Sequence, residues 1–550
     1  MSKKQEMEDF NIAHTLNGMA GRQPDRTALV EKVFGGYRSW TFKELDDHAS
    51  AYAHGLKAAG FTERDRVVLM VPPSRDFICL TFALFRLGSP VILIDPGMGY
   101  RNLLRCINSV KPTAFIGTPK AHLFRLLNYL DFYPVNRNIC VGPGLGLLGS
   151  QLEGLADFAG GSFPYRQTGQ EDPAAIIFTT GSTGPPKGVQ YSHGNFRAQL
   201  DLIRDYYRIT PDDIDQPAFP LFALFSTALG ACAVIPDMDA AHPARVDPQL
   251  FVKSIIERRV TYSFGSPAIW NVVSRYCLDK GIRLDSLRLV LMAGAPVSGE
   301  LVDRVRRIIS EKGEIQTPYG ATESLPVTSI SGSEILAETW QLSRRGKGTC
   351  VGRPLPGIEV AIIKMSDAPI SDWSEVEELP VGEVGEIVVR GGVVTASYYN
   401  NVSDNALAKI TDGCTFRHRI GDLGYFDEKN RLWFCGRKAH RVETAGRVML
   451  TIPCEAVFNE HPDVYRSALV GVRRVGGRVT PVLIAEPAKS CDRRRLIEDL
   501  KKLAAANDQT REIKHFLINH DFPVDIRHNA KIFREKLAVW AGKELGWNRP

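Results

Sequence analysis

The 550-residue chain is poor in closely spaced cysteines: ten are scattered along it, and the nearest pair is Cys435 and Cys454. No CxxC metal or redox motif can form, and free thiols in a reduced, cytoplasmic setting are expected. The opening MSKKQEMEDFNIAHTL has no apolar core, so no secretory signal is expected. Sixty-eight basic residues face sixty-two acidic ones, a net charge of +6, with no dense basic block; Asp492-Arg493-Arg494-Arg495 is a solvated helix face rather than a nucleic-acid stripe. One run lacks charge altogether, PAFPLFALFSTALGACAVIP (217–236). Its prolines at 217, 220 and 236, with Ser226, Thr227 and Gly230 inside, suit a buried strand-turn-helix or a pocket wall better than a membrane span.

What is present is an alternation of short apolar strands with helical patterns. RVVLMVP (66–72), DFICLTFALFRLG (76–88), PVILIDP (90–96), RNLLRCINSVKP (101–112) and TAFIG (113–117) begin it, and TYSFGSP (261–267) and LRLVLMAGAP (287–296) repeat it. This texture predicts an α/β fold with two layered, mainly parallel sheets. From about 345 the chain turns to short strands broken by Gly and Pro, and after Gly436-Arg437 the α/β texture returns. The expected organisation is a large domain over 1–435, including a β-rich subdomain at about 345–435, and a small domain over 436–550. The length is more than one core supports.

The chemistry begins at IIFTTGSTGPPKGVQYSHGN (176–195). An apolar strand runs into a turn in which glycines let backbone N–H groups approach an anion, the hydroxyls of Thr179, Thr180, Ser182 and Thr183 add donors, and Lys187 adds charge. Gly181, Gly184 and Lys187 do not have Walker A spacing, since neither GKS nor GKT occurs, yet the composition suits a polyphosphate. His193, at the turn into the next helix, reads as structural.

TTGSTGPPKG resembles the phosphate loop of the adenylate-forming superfamily, which includes acyl-CoA synthetases, peptide-synthetase adenylation domains and luciferases. Further motifs follow in that family's order. Gly294-Ala295-Pro296 resembles the adenine-side turn, and Tyr319-Gly320-Ala321-Thr322-Glu323 resembles YGxTE. The resemblance implies that Tyr319 stacks on adenine, Thr322 touches the α-phosphate and Glu323 holds Mg²⁺. It implies ribose contacts for Asp422, a nucleotide contact for Arg437, and a catalytic role for Lys531 at the α-phosphate and carboxylate, alongside Thr180, Lys187 and Glu323. ATP and Mg²⁺ are the implied cofactors. Joining a carboxylate to the α-phosphorus builds negative charge, and these cations and donors answer it.

The departures narrow the resemblance. In GRKAHRVETAG (436–446), Ala439 stands where thioester-forming members carry a hinge Lys or Asp and Glu443 replaces a lysine; Ala223 stands at a common histidine position, and RHNAK (527–531) replaces TxxGK. With PLFALFSTALG, FGSPA, WFCGRK and FPVDIRHNAKIFREKLAVWA, the chain resembles the β-lactone synthetases of bacterial long-chain olefin biosynthesis. That implies adenylation of a 2-alkyl-3-hydroxy fatty acid and displacement of AMP by its own 3-hydroxyl, without coenzyme A, together with association with the other enzymes of the pathway. Phe222, Ala223, Phe225, Gly265 and Trp270 are the expected wall of the acyl pocket, and His440 is a candidate base. A fatty acyl-CoA ligase, a fatty acyl-AMP ligase and a non-catalytic acyl or nucleotide binder stay open as alternatives.

Overall fold

The computed structural model describes residues 8–144, 148–156, 161–179, 184–239, 242–474, 477–488, 491–525 and 532–547. An eight-stranded sheet forms first. Its central strands Pro173–Phe178, Val91–Leu93, Val67–Met70, Ala114–Gly117 and Arg137–Cys140 are parallel neighbours, Gly188–Ser192 pairs antiparallel with Pro173–Phe178, and Ser397–Tyr398 pairs antiparallel with Gly188–Ser192 at that edge. Short β-branched runs alternating with helices dictate this arrangement, because parallel neighbours need crossovers long enough to hold a helix.

The helix Arg75–Leu87 shows how the layers meet. Ser74 accepts from the Phe77 N–H at its start, and Gly88 ends it with φ 72°. Every residue from Phe77 to Leu87 is buried, because both faces of the helix are covered. Arg86, the one charged side chain in that stretch, is neutralised by Asp46. Its neighbours Phe82, Ala83 and Leu84 share one core with Ala228, Leu229 and Ala233 from the second sheet region.

The second sheet has fourteen strands. Its parallel part runs through Ile214–Asp215, Tyr262–Gly265, Leu289–Met292 and Glu314–Ala321. Glu314–Ala321 then pairs antiparallel with Ser324–Ser331, which pairs with Thr349–Pro354 through Thr328↔Pro354 and Ser329↔Arg353. Beyond it follow Leu432–Arg437, Thr415–Phe426, Gly385–Arg390 and Glu359–Ile363. The β-rich stretch at 345–435 is therefore an extension of the second α/β sheet, a continuity that sequence texture does not disclose, because no residue type marks the strand that bridges two regions.

The charge-free run 217–236 folds as the helix Pro220–Leu229, stopped by Gly230 at φ 86°, and the strand Cys232–Val234. No helix among the described residues is long and apolar enough to cross a membrane. After Arg437 a short turn at Lys438–His440 leads to a smaller α/β unit, in which Val464–Arg473, Val479–Pro487 and His515–Ile518 form a three-stranded sheet with helices Thr451–Asn459, Arg493–Ala505 and Arg534–Glu544. Lys438 fastens the turn to the larger unit by pairing with buried Glu386 at 3.0 Å. Gln509 Nε2 donates to the Gly346 carbonyl at 3.1 Å, and Arg344 pairs with Glu460.

Candidate nucleotide and acyl site

The strands that flank the glycine-rich segment, Pro173–Phe178 and Gly188–Ser192, pair antiparallel, and Thr179 N–H donates to the Lys187 carbonyl at 3.0 Å. Thr180, Gly181, Ser182 and Thr183 lie outside the described residues, as does Lys531. Gly184 is exposed. Gly188 is required by close packing, since a Cβ there would stand 2.9 Å from Ile176 Cγ2 and 3.1 Å from Phe178. Lys187 Nζ pairs with Asp404 at 2.9 Å and lies 5.0 Å from the ring centre of Tyr398.

That tyrosine links the hairpin to the YGATE segment. Tyr398 Oη donates to Glu323 Oε1 at 2.7 Å, and Thr395 donates to the Glu323 carbonyl from its N–H at 2.9 Å and from Oγ1 at 3.2 Å. Tyr191 Oη donates to the Thr322 carbonyl. Lys187 over the ring and Glu323 at the hydroxyl thus meet the same tyrosine. Burial and the Glu323 charge push the Tyr398 hydroxyl up, so it stays a donor.

Behind this pair sits Lys409, whose ammonium donates to the Thr395 carbonyl and lies 5.2 Å from the Phe416 ring centre. Burial brings its pKa down to about 7, against the pull of Glu323. His418, buried and opposite Lys409 in the sheet register, is held well below its usual range by burial and then by Lys409. Sequence reading missed Tyr398, Thr395, Lys409 and His418. Only the SYYN run (397–400) offered any signal, and nothing in it points to Glu323.

A large cleft opens between the two units, with about 2130 Å³ of empty space, part of it open to solvent. Gly294, Ala295, Pro296, Tyr319, Gly320, Thr322, Asp422 and Arg437 all line it. Sheet register fixes the last two: Asp422 and Arg437 are cross-strand partners, and Arg437 Nε meets Asp422 Oδ1 at 3.1 Å. Tyr319 Oη donates to Asp422 Oδ2 at 2.6 Å. The Asp422 carboxylate raises the Arg437 guanidinium further above its already high range, so this corner carries a fixed cation. The small unit contributes His440, Thr451, Ile452, Ile532 and Arg534 to the same cleft. Ile532 directly follows Lys531 in sequence. His193 is buried, its Nδ1 accepting from the Ile12 N–H at 3.2 Å, which agrees with a structural role.

The apolar end of the cleft is aromatic. Phe222 stacks on Phe264 with ring centres 3.8 Å apart, and Gly265 and Ile269 continue the wall. The expected wall needs correction at three positions. Ala223 is buried in the core, Trp270 lies fully buried behind Gly265, and Phe225 lines a separate apolar cavity with Phe85, Phe196 and Leu224. A helix turns 100° per residue, so Pro220–Leu229 presents Phe222 to the cleft and Leu221, Leu224, Phe225 and Ala228 to that cavity.

Comparison with known proteins places this geometry. The family model of the AMP-binding enzymes matches residues 17–399. An olefin β-lactone synthetase of Stenotrophomonas maltophilia is 44% identical over 97% of this chain and 98% of its own length, and one of Xanthomonas campestris is 42% identical over the same shares. Among solved structures, the amide bond synthetase McbA of Marinactinospora thermotolerans superposes with a TM-score of 0.80 at 23% identity, covering 97% of this chain and 99% of its own. The chain belongs to the AMP-binding family of adenylate-forming enzymes and is an ATP-dependent, AMP-forming ligase.

Proposed function

We propose that this ligase is an olefin β-lactone synthetase acting on a 2-alkyl-3-hydroxy fatty acid. The observation that carries the reading is the 42–44% identity to two proteins of that name over nearly their whole length. The cleft supports it: one continuous space joins the Tyr319, Asp422 and Arg437 corner to the Phe222 and Phe264 wall, as an acyl-adenylate with an alkyl branch requires.

In the first step a carboxylate oxygen attacks the α-phosphorus of ATP and diphosphate leaves. Thr179 to Lys187 and Thr322 meet the phosphates, Gly294-Ala295-Pro296 and Tyr319 border the adenine, and Asp422 takes the ribose hydroxyls. Lys531 reaches the α-phosphate from the small domain. In the second step the substrate's own 3-hydroxyl oxygen attacks the acyl carbon, AMP leaves and a four-membered ring closes. Holding hydroxyl and adenylate in one cleft supplies a large effective molarity that offsets ring strain. His440 lines the cleft, and this reading assigns it the hydroxyl proton.

The residues fit Mg²⁺, which members of the family use with ATP. No group of three or more His, Cys, Asp or Glu side chains that could hold a metal occurs among the described residues. A lone carboxylate beside a phosphate loop is the donor set that suits a cation shared with phosphate oxygens and water. Glu323 would hold it, and when bound it neutralises charge on the departing diphosphate.

The division at 436, between a large domain and a mobile small one, belongs to this proposal, as do a cytoplasmic location and association with the enzymes that supply the hydroxy acid and consume the lactone. The test is product analysis by mass spectrometry and NMR after incubation with Mg-ATP and a synthetic 2-alkyl-3-hydroxy acid, with and without CoA. A β-lactone, AMP and diphosphate formed without CoA are expected. An acyl-CoA formed only with CoA, and no lactone, would make the enzyme an acyl-CoA ligase.

A further inference from the structure

The helix Pro119–Leu127 and the turns after it wear their apolar side chains outside. The inner face is ordinary: His122 is buried against the Ile139 carbonyl at 2.9 Å, and Phe124 and Phe132 pack edge to face. On the outer face of the helix stand Leu123, Leu126 and Leu127, and in the turns beyond it Leu130, with Leu127 75% and Leu130 72% exposed and Tyr129 and Tyr133 exposed in the same turns. Of the twenty large apolar side chains exposed among the described residues, six fall within these eleven positions, 123–133. Scattered exposed leucines need no explanation, but a contiguous patch does.

The patch is also where the chain's positive charge gathers. Between residues 96 and 137 there are six Lys or Arg residues and a single acid, Asp131, whereas the whole chain carries only +6. Arg101 and Arg105 are exposed on Tyr100–Val110. That helix is tied to the patch by Tyr100, whose ring meets Phe124 edge-on at 5.7 Å and whose hydroxyl bonds Asn128, and by Asn108 donating to Asp131 at 2.5 Å. Among the described residues, Arg101, Arg105, Lys111, Lys120 and Arg125 make no ion pair, while Arg137 is paired with Asp65. A protein partner would supply carboxylates at defined places. Here the cations flank, rather than interrupt, an aliphatic ridge edged by tyrosines, the composition of a helix that lies in a lipid interface.

We propose that this face docks on the surface of an anionic bilayer, with Leu123, Leu127 and Leu130 entering the headgroup boundary and Arg101 and Arg105 meeting lipid phosphates. The proposal is independent of which product the enzyme makes.

The test is flotation of the full-length protein with vesicles of mixed phosphatidylglycerol and phosphatidylcholine, and with phosphatidylcholine alone. The unmodified protein is expected to float with the mixed vesicles only. Each basic side chain near an anionic surface is worth about a fivefold change in partition, so R101E/R105E is expected to lower binding by about twentyfold or more. L127E/L130E should abolish it, and adenylate formation from a short water-soluble hydroxy acid should be unchanged in both, since these exposed residues lie outside the cleft. Failure of the unmodified protein to float, or equal flotation of all variants, would overturn the proposal. So would light scattering that shows a dimer turned to monomer by L127E/L130E, because the patch would then face a second copy.

Discussion

Replacing Lys409 with methionine probes the charge buried behind Glu323. Methionine keeps the length of the side chain and removes its charge. The lysine, brought from 10.5 to about 7 by burial, is strained in its charged form by about 4–5 kcal/mol, taking about 1.4 kcal/mol per unit. Between pH 7 and the unfolded-state value near 10.4, the unfolded chain holds a proton that the folded chain has released. Stability contributed by this site therefore rises with pH across that window, and is flat below it where both states are charged. From pH 7 to pH 9 the unmodified protein should gain about 2 kcal/mol relative to Lys409→Met. The lost bond to the Thr395 carbonyl costs the variant about 1–3 kcal/mol at every pH, so it shifts the curve without changing its slope. The assay is urea unfolding of both proteins at several pH values, followed through the transition that contains the large unit. Parallel curves would refute the reasoning and mean that Lys409 keeps its proton in the folded state.

Three further outcomes are expected. Tyr319→Phe removes the 2.6 Å bond to Asp422, and a hydrogen bond to a charged group contributes about 1.5–3 kcal/mol, so KM for ATP in diphosphate exchange should rise about tenfold or more. Glu323→Gln keeps an acceptor for Tyr398 but removes the charge, so the Mg²⁺ concentration needed for half-maximal exchange should rise while thermal unfolding stays close to that of the parent. Arg534→Met leaves Glu455 buried without its 2.6 Å partner, a loss of about 3–5 kcal/mol, and limited proteolysis should then cut the small unit first; adding Glu455→Gln should restore resistance.

The sequence disclosed those parts of the site that depend on local chemistry. TTGSTGPPKG could be read because its glycines, hydroxyls and lysine crowd one short turn after an apolar strand, a density that suits an anion, and the strand before it and the helix after it follow from periodicity. Asp422 and Arg437 were legible as motif residues, but their pairing depends on the register of two strands that the sequence leaves open. Tyr398 and Thr395 reach Glu323 across more than seventy positions, with Lys409 bonded to Thr395 behind them, and no local pattern foretells such a meeting. Gly299 illustrates the same limit: it is small because the Trp340 indole lies where its Cβ would be, 2.3 Å away, a contact between distant segments. The run at 217–236 misled in the opposite sense, since uniform apolarity hides the direction in which each side chain of a helix points.

Arg437 is the last residue of its strand, and the turn at Lys438–His440 begins immediately after it. The Asp422–Arg437 pair therefore belongs wholly to the larger unit, while Ile532 and Arg534 reach the same cleft from the smaller one, which Lys438–Glu386, Arg344–Glu460 and Gln509–Gly346 tie back to it. Tyr319, Asp422 and Arg437 hold one another through strand register and two direct contacts, with no residue from beyond Arg437 taking part. That corner of the cleft is thus built before the chain enters the smaller unit, and its geometry does not depend on how that unit is seated.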